Sequence, residues 1–198
     1  MVNKIPNTLE NPVDVLIYNH IDAHLAFYKK LGFTPNGLTT LSLGLGLCAI
    51  YFVCQKYYKS GALLWFAAYY YDCADGKLAR KYKMTSKFGD FYDHCSDLVK
   101  HALLIGVLCM YYIRKGQWLL LSALVVMFLV VGFLVAAQMG CQERYVKENE
   151  NAENSETLQI LDYFVLHDNC AKQMQVTRFF TPGTLTILFM CVILSLRK

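Results

Sequence analysis

The run that decides the fold lies in the second half of the chain, where residues Trp118 to Met139 read WLLLSALVVMFLVVGFLVAAQM. These 22 residues carry no charge. As an α-helix rising about 1.5 Å per residue, the run is long enough to cross the hydrocarbon layer of a bilayer, which is about 30 Å thick. The segment therefore predicts a transmembrane helix.

Four more apolar segments flank this run and predict further helices. They cover residues 37–54, 62–71, 98–113 and 179–195. Segments 62–71 and 98–113 are too short to span a bilayer alone. Continued through the acidic residues beside them, roughly over 61–82 and 87–113, both reach full length. The short connection between them predicts antiparallel neighbours whose polar halves lie side by side.

The composition agrees with a membrane protein. Of the 198 residues, 56% are hydrophobic and only 17% are charged, outside the usual range of soluble domains. The sequence predicts an all-α fold, a polytopic transmembrane helix bundle of five to six spans. A sixth span would come from residues 157–177, which are rather polar. The eight cysteines form no C-x-x-C pair, so we expect small buried side chains rather than a zinc site or disulfides.

The chain divides into an N-terminal segment, residues 1–34, and a membrane domain, residues 35–198. Residues 11–31 alternate apolar and charged positions at helical spacing, which favours an amphipathic helix. It could lie in the membrane interface or pack as a soluble cap on the membrane domain. No cleavable signal peptide is apparent. A polar loop is expected at about 141–160.

The distribution of basic residues predicts the orientation. If the N-terminus is cytosolic, twelve Lys and Arg residues lie on the cytosolic side of the predicted spans and six on the other. Basic residues favour the cytosolic side, so the acidic halves of the helices should face the cytosol. The net charge of +4 is explained by these flanking residues, and we expect no nucleic-acid partner.

Five aspartates lie between the second and third apolar segments. Asp72 and Asp75 are three residues apart, and Asp93 and Asp97 are four apart, so each pair shares one helix face. Four carboxylates converging from adjacent helices would repel one another unless a cation lies between them. Oxygen ligands of this kind suit Mg²⁺ or Mn²⁺. Asp90 is out of phase with the other two and is expected to be solvated.

The whole window follows one spacing pattern. Asp72-Cys-Ala-Asp75-Gly76-Lys-Leu-Ala79-Arg80, followed by Gly89, Asp93 and Asp97, matches D-x2-D-G-x2-A-R-x8-G-x3-D-x3-D at every fixed position. This pattern resembles the signature of the CDP-alcohol phosphotransferase (CDP-alcohol phosphatidyltransferase) family. Thr34-Pro35-Asn36-Gly-Leu-Thr39 is similar to the Pro-Asn-x-x-Thr entry of the same family. The resemblance implies a phospholipid-biosynthetic enzyme that moves a phospho-alcohol group from a CDP-linked donor to a hydroxyl acceptor and releases CMP.

The resemblance also implies roles for individual residues. Asp72, Asp75, Asp93 and Asp97 would hold Mg²⁺ or Mn²⁺, as two ions, and Asp97 would be the general base. The residues implied for CDP binding are Asn36, Thr39, Gly76, Ala79, Arg80, Ser86 and Gly89. A homodimer in a multi-pass membrane location, of endoplasmic reticulum or Golgi type in a eukaryote, is implied as well.

The transferred alcohol depends on fewer residues. Asp93-His94, in the predicted helix over residues 87–113, resembles the amino-alcohol branch of the family. In that branch CDP-choline or CDP-ethanolamine is the donor and diacylglycerol the acceptor. The alternative is a CDP-diacylglycerol donor with a soluble alcohol acceptor such as inositol, serine or glycerol phosphate. A cation channel or transporter is disfavoured because the carboxylates lie at one face and segments 37–54 and 118–139 are uncharged.

Overall fold

A computed structural model describes residues 5–150, 161, 163–166 and 169–196 of the chain. Within these residues it contains seven α-helices and no β-strand. The helices are α1 (Pro12–Lys30), α2 (Pro35–Cys54), α3 (Tyr58–Lys81), α4 (Lys87–Arg114), α5 (Trp118–Glu150), α6 (Cys170–Thr177) and α7 (Pro182–Ser195). The predicted all-α membrane bundle is confirmed.

Local sequence signals set where α2 and α4 begin. The Thr34 hydroxyl accepts a hydrogen bond from the Gly37 amide at 3.1 Å, and Pro35 follows in the first turn of α2. Ser86 caps α4 in the same way, accepting from the Gly89 amide at 3.0 Å. Side-chain caps satisfy amide groups that otherwise have no partner inside the helix. These two caps fix the first turns of α2 and α4, the helices that carry Thr39 and Asp93.

Four helical segments are long and apolar enough to cross a membrane by length and composition: Pro35–Cys54, Lys87–Arg114, Trp118–Glu148 and Cys170–Ser195. This is one fewer than the five apolar segments of the sequence. The difference is α3, whose 24 residues suffice in length but whose second half is polar. It contacts α2, α7 and α1, so the bundle surrounds much of its surface.

The apolar residues form a core between α2, α3, α4 and α7 and also cover the outside of the bundle. Trp65, Leu104 and Phe189 lie in that core. By contrast, Leu98 is 71% exposed and Leu119 is 82% exposed. A water-soluble protein rarely leaves so many large apolar side chains uncovered, whereas lipid accommodates them. The protein is an integral membrane protein.

The predicted N-terminal helix is present as α1 and packs onto the bundle. Ile21 and Leu25 are fully buried in a cluster with Leu38, Ala74 and Leu78. The outward side of α1 carries apolar residues as well, since Leu16 is 70% and Phe27 57% exposed. Packing on the membrane domain is therefore observed. A location in the membrane interface stays a prediction.

Polar contacts join the start of α1 to the start of α7. The Asn11 amide donates to the hydroxyls of Thr181 at 2.9 Å and Thr184 at 2.8 Å. Asp14 accepts a hydrogen bond from the Tyr69 hydroxyl at 2.8 Å. Burial raises the pKa of the Asp14 carboxyl, and the hydrogen bonds from Thr181 and Tyr69 oppose that rise. These contacts fix the N-terminal segment to two helices of the bundle.

The predicted polar loop at about 141–160 is wrong in its first half. Helix α5 continues to Glu150, and residues 151–160 lie outside the described part of the chain. Gln, Glu, Arg and Lys are good helix formers, which allows the helix to extend past the apolar run. Cys141 and Val146 also pack against Cys170 and Met174 of α6, so this extension has a buried face.

Gly61 sets how closely α2 and α3 approach, and its replacement by alanine should destabilise the bundle. A Cβ there would lie 2.7 Å from Val53 Cγ2 and 3.2 Å from the Ala49 carbonyl oxygen. Overpacking of this kind costs about 1–3 kcal/mol. We expect Gly61→Ala to lower the melting temperature of the purified protein in detergent.

Gly106→Ala is the matched control, because a Cβ at Gly106 meets nothing within 4 Å. This change should leave the melting temperature equal or raise it, since alanine favours a helix over glycine by about 1 kcal/mol. Equal melting temperatures for the two variants would contradict the close approach of α2 and α3.

Candidate active site

Three helices bring the acidic residues to one place. Asp72 lies on α3 and Asp97 on α4, and both contact the side chain of Lys100. The Lys100 ammonium lies 2.9 Å from Asp72 Oδ1 and 2.7 Å from Asp97 Oδ1. Carboxylates of α3 and α4 therefore meet through Lys100. The prediction that the two helices pack directly as antiparallel neighbours is not confirmed, because their backbones make few close contacts and α2 packs against both of them.

Helix α2 supplies the third contact of this lysine. The Lys100 ammonium donates to the Ser42 hydroxyl at 2.8 Å, and that hydroxyl donates to Asp72 Oδ1 at 3.2 Å. Lys100 is only 3% exposed and Ser42 is fully buried. An ammonium has three N–H donors, and Lys100 has three acceptors for them. The arrangement ties α2, α3 and α4 together at one charged point.

Asp75 and Asp93 complete the predicted set in different surroundings. Asp75 is 4% exposed, and its Oδ2 accepts a hydrogen bond from the Thr39 hydroxyl at 2.5 Å. Asp93 Oδ1 is buried, and none of the described residues donates a hydrogen bond to it. A buried carboxylate oxygen without a donor is costly unless something else compensates its charge. Asp93 thus retains capacity to bind a cation or a donor group.

The donor set fits a hard divalent cation in its chemistry. All four side chains offer oxygen, the ligand that Mg²⁺ and Mn²⁺ prefer, and Asp93 Oδ1 has unused binding capacity. Among the described residues, however, no three His, Cys, Asp or Glu side chains are arranged to hold a metal ion. The cation that Asp72 and Asp97 share in this structure is the Lys100 ammonium.

Three of the residues predicted to bind CDP lie together where α2 and α4 begin. A Cβ at Gly89 would lie 3.0 Å from Asn36 Oδ1 and 3.0 Å from Ser86 Oγ. Thr39, one turn further along α2, is the residue that contacts Asp75. The structure therefore places Asn36, Ser86 and Gly89 in one cluster and connects Thr39 to the carboxylates.

Gly76, Ala79 and Arg80 lie in the last turns of α3. The Arg80 side chain lies over Gly76, where a Cβ would be 3.3 Å from Arg80 Nη1. Arg80 is exposed, and Ala79 is half-buried with its carbonyl accepting from the Met84 amide at 2.8 Å. The absence of a side chain at Gly76 leaves room beside an exposed guanidinium, which suits the approach of a phosphate.

His94 and Asp90 contact each other on α4. His94 Nδ1 lies 2.7 Å from the Asp90 carbonyl oxygen and 3.6 Å from Asp90 Oδ1. Both side chains are about one quarter exposed. A role for His94 in substrate choice stays a prediction.

Two residues of the centre, Lys100 and Ser42, were missed by the sequence reasoning. Lys100 lies within residues 98–113, which the sequence pattern predicts as an apolar segment. A signal was available, because a lysine inside an apolar membrane segment is costly and usually has an acidic partner. Its position three residues after Asp97 places the two on one helix face. Ser42 gave no comparable signal, since serine is common in membrane helices.

A second buried lysine fixes α1 to the helix that carries Asp72 and Asp75. Lys77 is fully buried, and its ammonium lies 2.5 Å from Asp22 Oδ2 and 3.2 Å from the Tyr18 carbonyl oxygen. The ammonium also lies 4.9 Å from the centre of the Tyr18 ring. The N-terminal helix therefore holds the acidic half of α3 in position.

Comparison with known proteins agrees with the signature. The family described as CDP-alcohol phosphatidyltransferase matches residues 33–197, nearly the whole chain. Comparison with curated proteins and with solved structures found no match.

The Lys77–Asp22 pair should respond unequally to loss of either partner. Asp22→Asn leaves a fully buried ammonium without its carboxylate, which costs about 3–5 kcal/mol for a buried pair. Lys77→Met removes the buried charge and leaves Asp22, which is 34% exposed, in contact with water. We expect Asp22→Asn to lower the melting temperature more than Lys77→Met.

The double variant provides the control for this comparison. Asp22→Asn/Lys77→Met should melt close to Lys77→Met alone, since no buried charge is left unpaired. Equal and additive losses from the two single variants would contradict the pairing.

Proposed function

Since this chain belongs to the CDP-alcohol phosphatidyltransferase family, whose members transfer a phospho-alcohol group in phospholipid synthesis, we propose that it uses CDP-choline or CDP-ethanolamine as donor and diacylglycerol as acceptor. The observation that supports phosphotransfer is the convergence of α2, α3 and α4 on Asp72, Asp75 and Asp97. Each of these residues occupies its position in the family signature. The choice of donor is proposed from the Asp93-His94 pair of the sequence. The same family match favours a transferase over a cation channel or transporter.

Asp72, Asp75, Asp93 and Asp97 are the residues we propose to hold Mg²⁺ or Mn²⁺, as two ions. When bound, such ions supply positive charge that stabilises the pyrophosphate of the donor and the departing CMP. The unpaired Asp93 Oδ1 and the all-oxygen donor set support this assignment.

Asp97 is the proposed general base. Its carboxylate accepts the proton of the acceptor hydroxyl while that oxygen attacks the β-phosphorus of the donor. The new P–O bond forms as the bond to the CMP oxygen breaks, and CMP leaves with the electron pair. The side chain of Asp97 is 34% exposed, so an acceptor can reach it, and Lys100 fixes its orientation at 2.7 Å.

The CDP group is proposed to bind between the starts of α2 and α4 and the end of α3. Asn36, Ser86 and Gly89 form one side of this site, where small and polar groups lie together. The exposed Arg80 guanidinium beside Gly76 offers a bidentate contact to a phosphate, and Thr39 connects the nucleotide side to Asp75. Ala79 contributes a small side chain next to Arg80.

The arrangement suits substrates from two phases. A CDP group is water-soluble, and diacylglycerol stays in the lipid. The aspartates lie in the polar halves of α3 and α4, whereas the other half of each helix is mainly apolar. We propose that these polar halves face the cytosol and that the enzyme is a homodimer.

A donor comparison tests the substrate proposal. Purified protein with Mg²⁺ is supplied with radiolabelled CDP-choline, CDP-ethanolamine or CDP-diacylglycerol, together with diacylglycerol or a soluble alcohol such as inositol, serine or glycerol phosphate. We expect CMP release and a labelled lipid product from CDP-choline or CDP-ethanolamine with diacylglycerol. Product only from CDP-diacylglycerol with a soluble alcohol would establish the alternative and overturn the role given to His94.

A further inference from the structure

We propose that Lys100 is a built-in cation of the aspartate centre, which offsets part of the negative charge of Asp72 and Asp97 and competes with divalent metal for them. The inference rests on the metal binding proposed above, and it adds a residue that lowers the affinity of the aspartate centre for divalent metal. Lys100 is a positioning residue, since it acts through the carboxylates of Asp72 and Asp97 and is not proposed to touch the substrate.

The hydrogen bonds of Lys100 argue for a fixed ion rather than a mobile surface lysine. Its ammonium lies within 2.9 Å of three acceptors: Ser42 Oγ, Asp72 Oδ1 and Asp97 Oδ1. These acceptors satisfy all of its donors. Removing the lysine would leave two carboxylates facing each other without the charge that now lies between them.

The aliphatic part of the side chain is held as firmly as its ammonium. A Cβ at Gly46 of α2 would lie 2.8 Å from Lys100 Cδ and 3.0 Å from Cγ, so the lysine fills the space that this glycine leaves. Lys100 is 3% exposed. The Lys100 side chain is therefore packed in place, with its ammonium beside Asp72 and Asp97.

The location of the ammonium makes it a competitor for metal. An Mg²⁺ ion binds a carboxylate oxygen at about 2.0–2.1 Å. An ion bridging Asp72 Oδ1 and Asp97 Oδ1 would need the space that the ammonium fills at 2.9 and 2.7 Å. Even at other carboxylate oxygens, a positive charge this close opposes the binding of a dication. Lys100 should thus hold the centre together while lowering its affinity for metal.

The other basic residues nearby do not duplicate this arrangement. Lys77 is paired with Asp22 on the α1 side of α3, and Arg80 lies over Gly76. Lys100 is the lysine that reaches both acidic helix ends.

The test is Mn²⁺ binding to purified Lys100→Met in detergent without substrate, followed through the electron paramagnetic resonance signal of free Mn²⁺. Methionine keeps the volume and removes the charge. We expect Mn²⁺ to bind at least about tenfold more tightly than to the wild type, because one positive charge has left the centre. A merely structural role would shift the affinity in the opposite direction, since a damaged site binds metal less well.

Two matched variants separate local from general charge effects. Lys59→Met removes an exposed lysine at the far end of α3 and should leave Mn²⁺ affinity unchanged. Gly46→Ala displaces the Lys100 side chain without removing it and should also tighten Mn²⁺ binding. It serves as the test if Lys100→Met does not fold.

The outcomes distinguish this inference from the proposed function. Saturable Mn²⁺ binding by the wild type, with equal or weaker binding by Lys100→Met or by a folded Gly46→Ala, would overturn the role of Lys100 and leave the proposed function intact. Failure of every variant to bind Mn²⁺ would overturn both the metal assignment and the inference. In support, Lys100→Met should have a lower melting temperature than the wild type in EDTA. Added Mn²⁺ should raise the melting temperature of Lys100→Met by more than it raises that of the wild type.

Discussion

Repulsion among carboxylates within a membrane bundle is the constraint on which this structure depends. Asp72, Asp75, Asp93 and Asp97 come from two helices, and carboxylates so close together and shielded from water are stable only with compensating charge or hydrogen bonds. The structure supplies part of it through the Lys100 ammonium, which contacts Asp72 and Asp97 directly. Asp75 instead accepts a hydrogen bond from the Thr39 hydroxyl. The Oδ1 atom of Asp93 is buried, and none of the described residues donates a hydrogen bond to it. This incomplete compensation is the observation that supports the proposed binding of divalent metal.

The rest of the bundle holds this centre in position. Helix α2 approaches α3 closely at Gly61 and leaves space for the Lys100 side chain at Gly46. Helix α1 holds the acidic half of α3 through the buried Lys77 ammonium and its contact with Asp22. The N-terminal helix thus helps to hold the candidate active site in position, although the family match begins only at residue 33.

Patterns local in sequence predicted much of this arrangement. The bounds of α3 and α4 followed from extending two short apolar segments through their acidic ends, and the spacing of the aspartates placed each pair on one face. Contacts between helices were not predictable in the same way. Lys100 and Ser42 are 58 residues apart, and periodicity carries no information about which faces meet. The extension of α5 beyond residue 140 was not predictable in this way, because its buried face forms against residues distant in sequence, Ile5 and Leu9 and helix α6.

The most direct test of the central claim is CMP release by Asp97→Asn, with Asp90→Asn as the matched control on the same helix. Both changes replace one carboxylate by an amide, but only Asp97 contacts the Lys100 centre. Loss of a general base typically lowers the rate about 10²- to 10⁴-fold. The account predicts a loss of that size for Asp97→Asn and a much smaller change for Asp90→Asn, whose side chain contacts His94 rather than Lys100. Full CMP release by Asp97→Asn would contradict the assignment of this aspartate centre as the site of phosphotransfer.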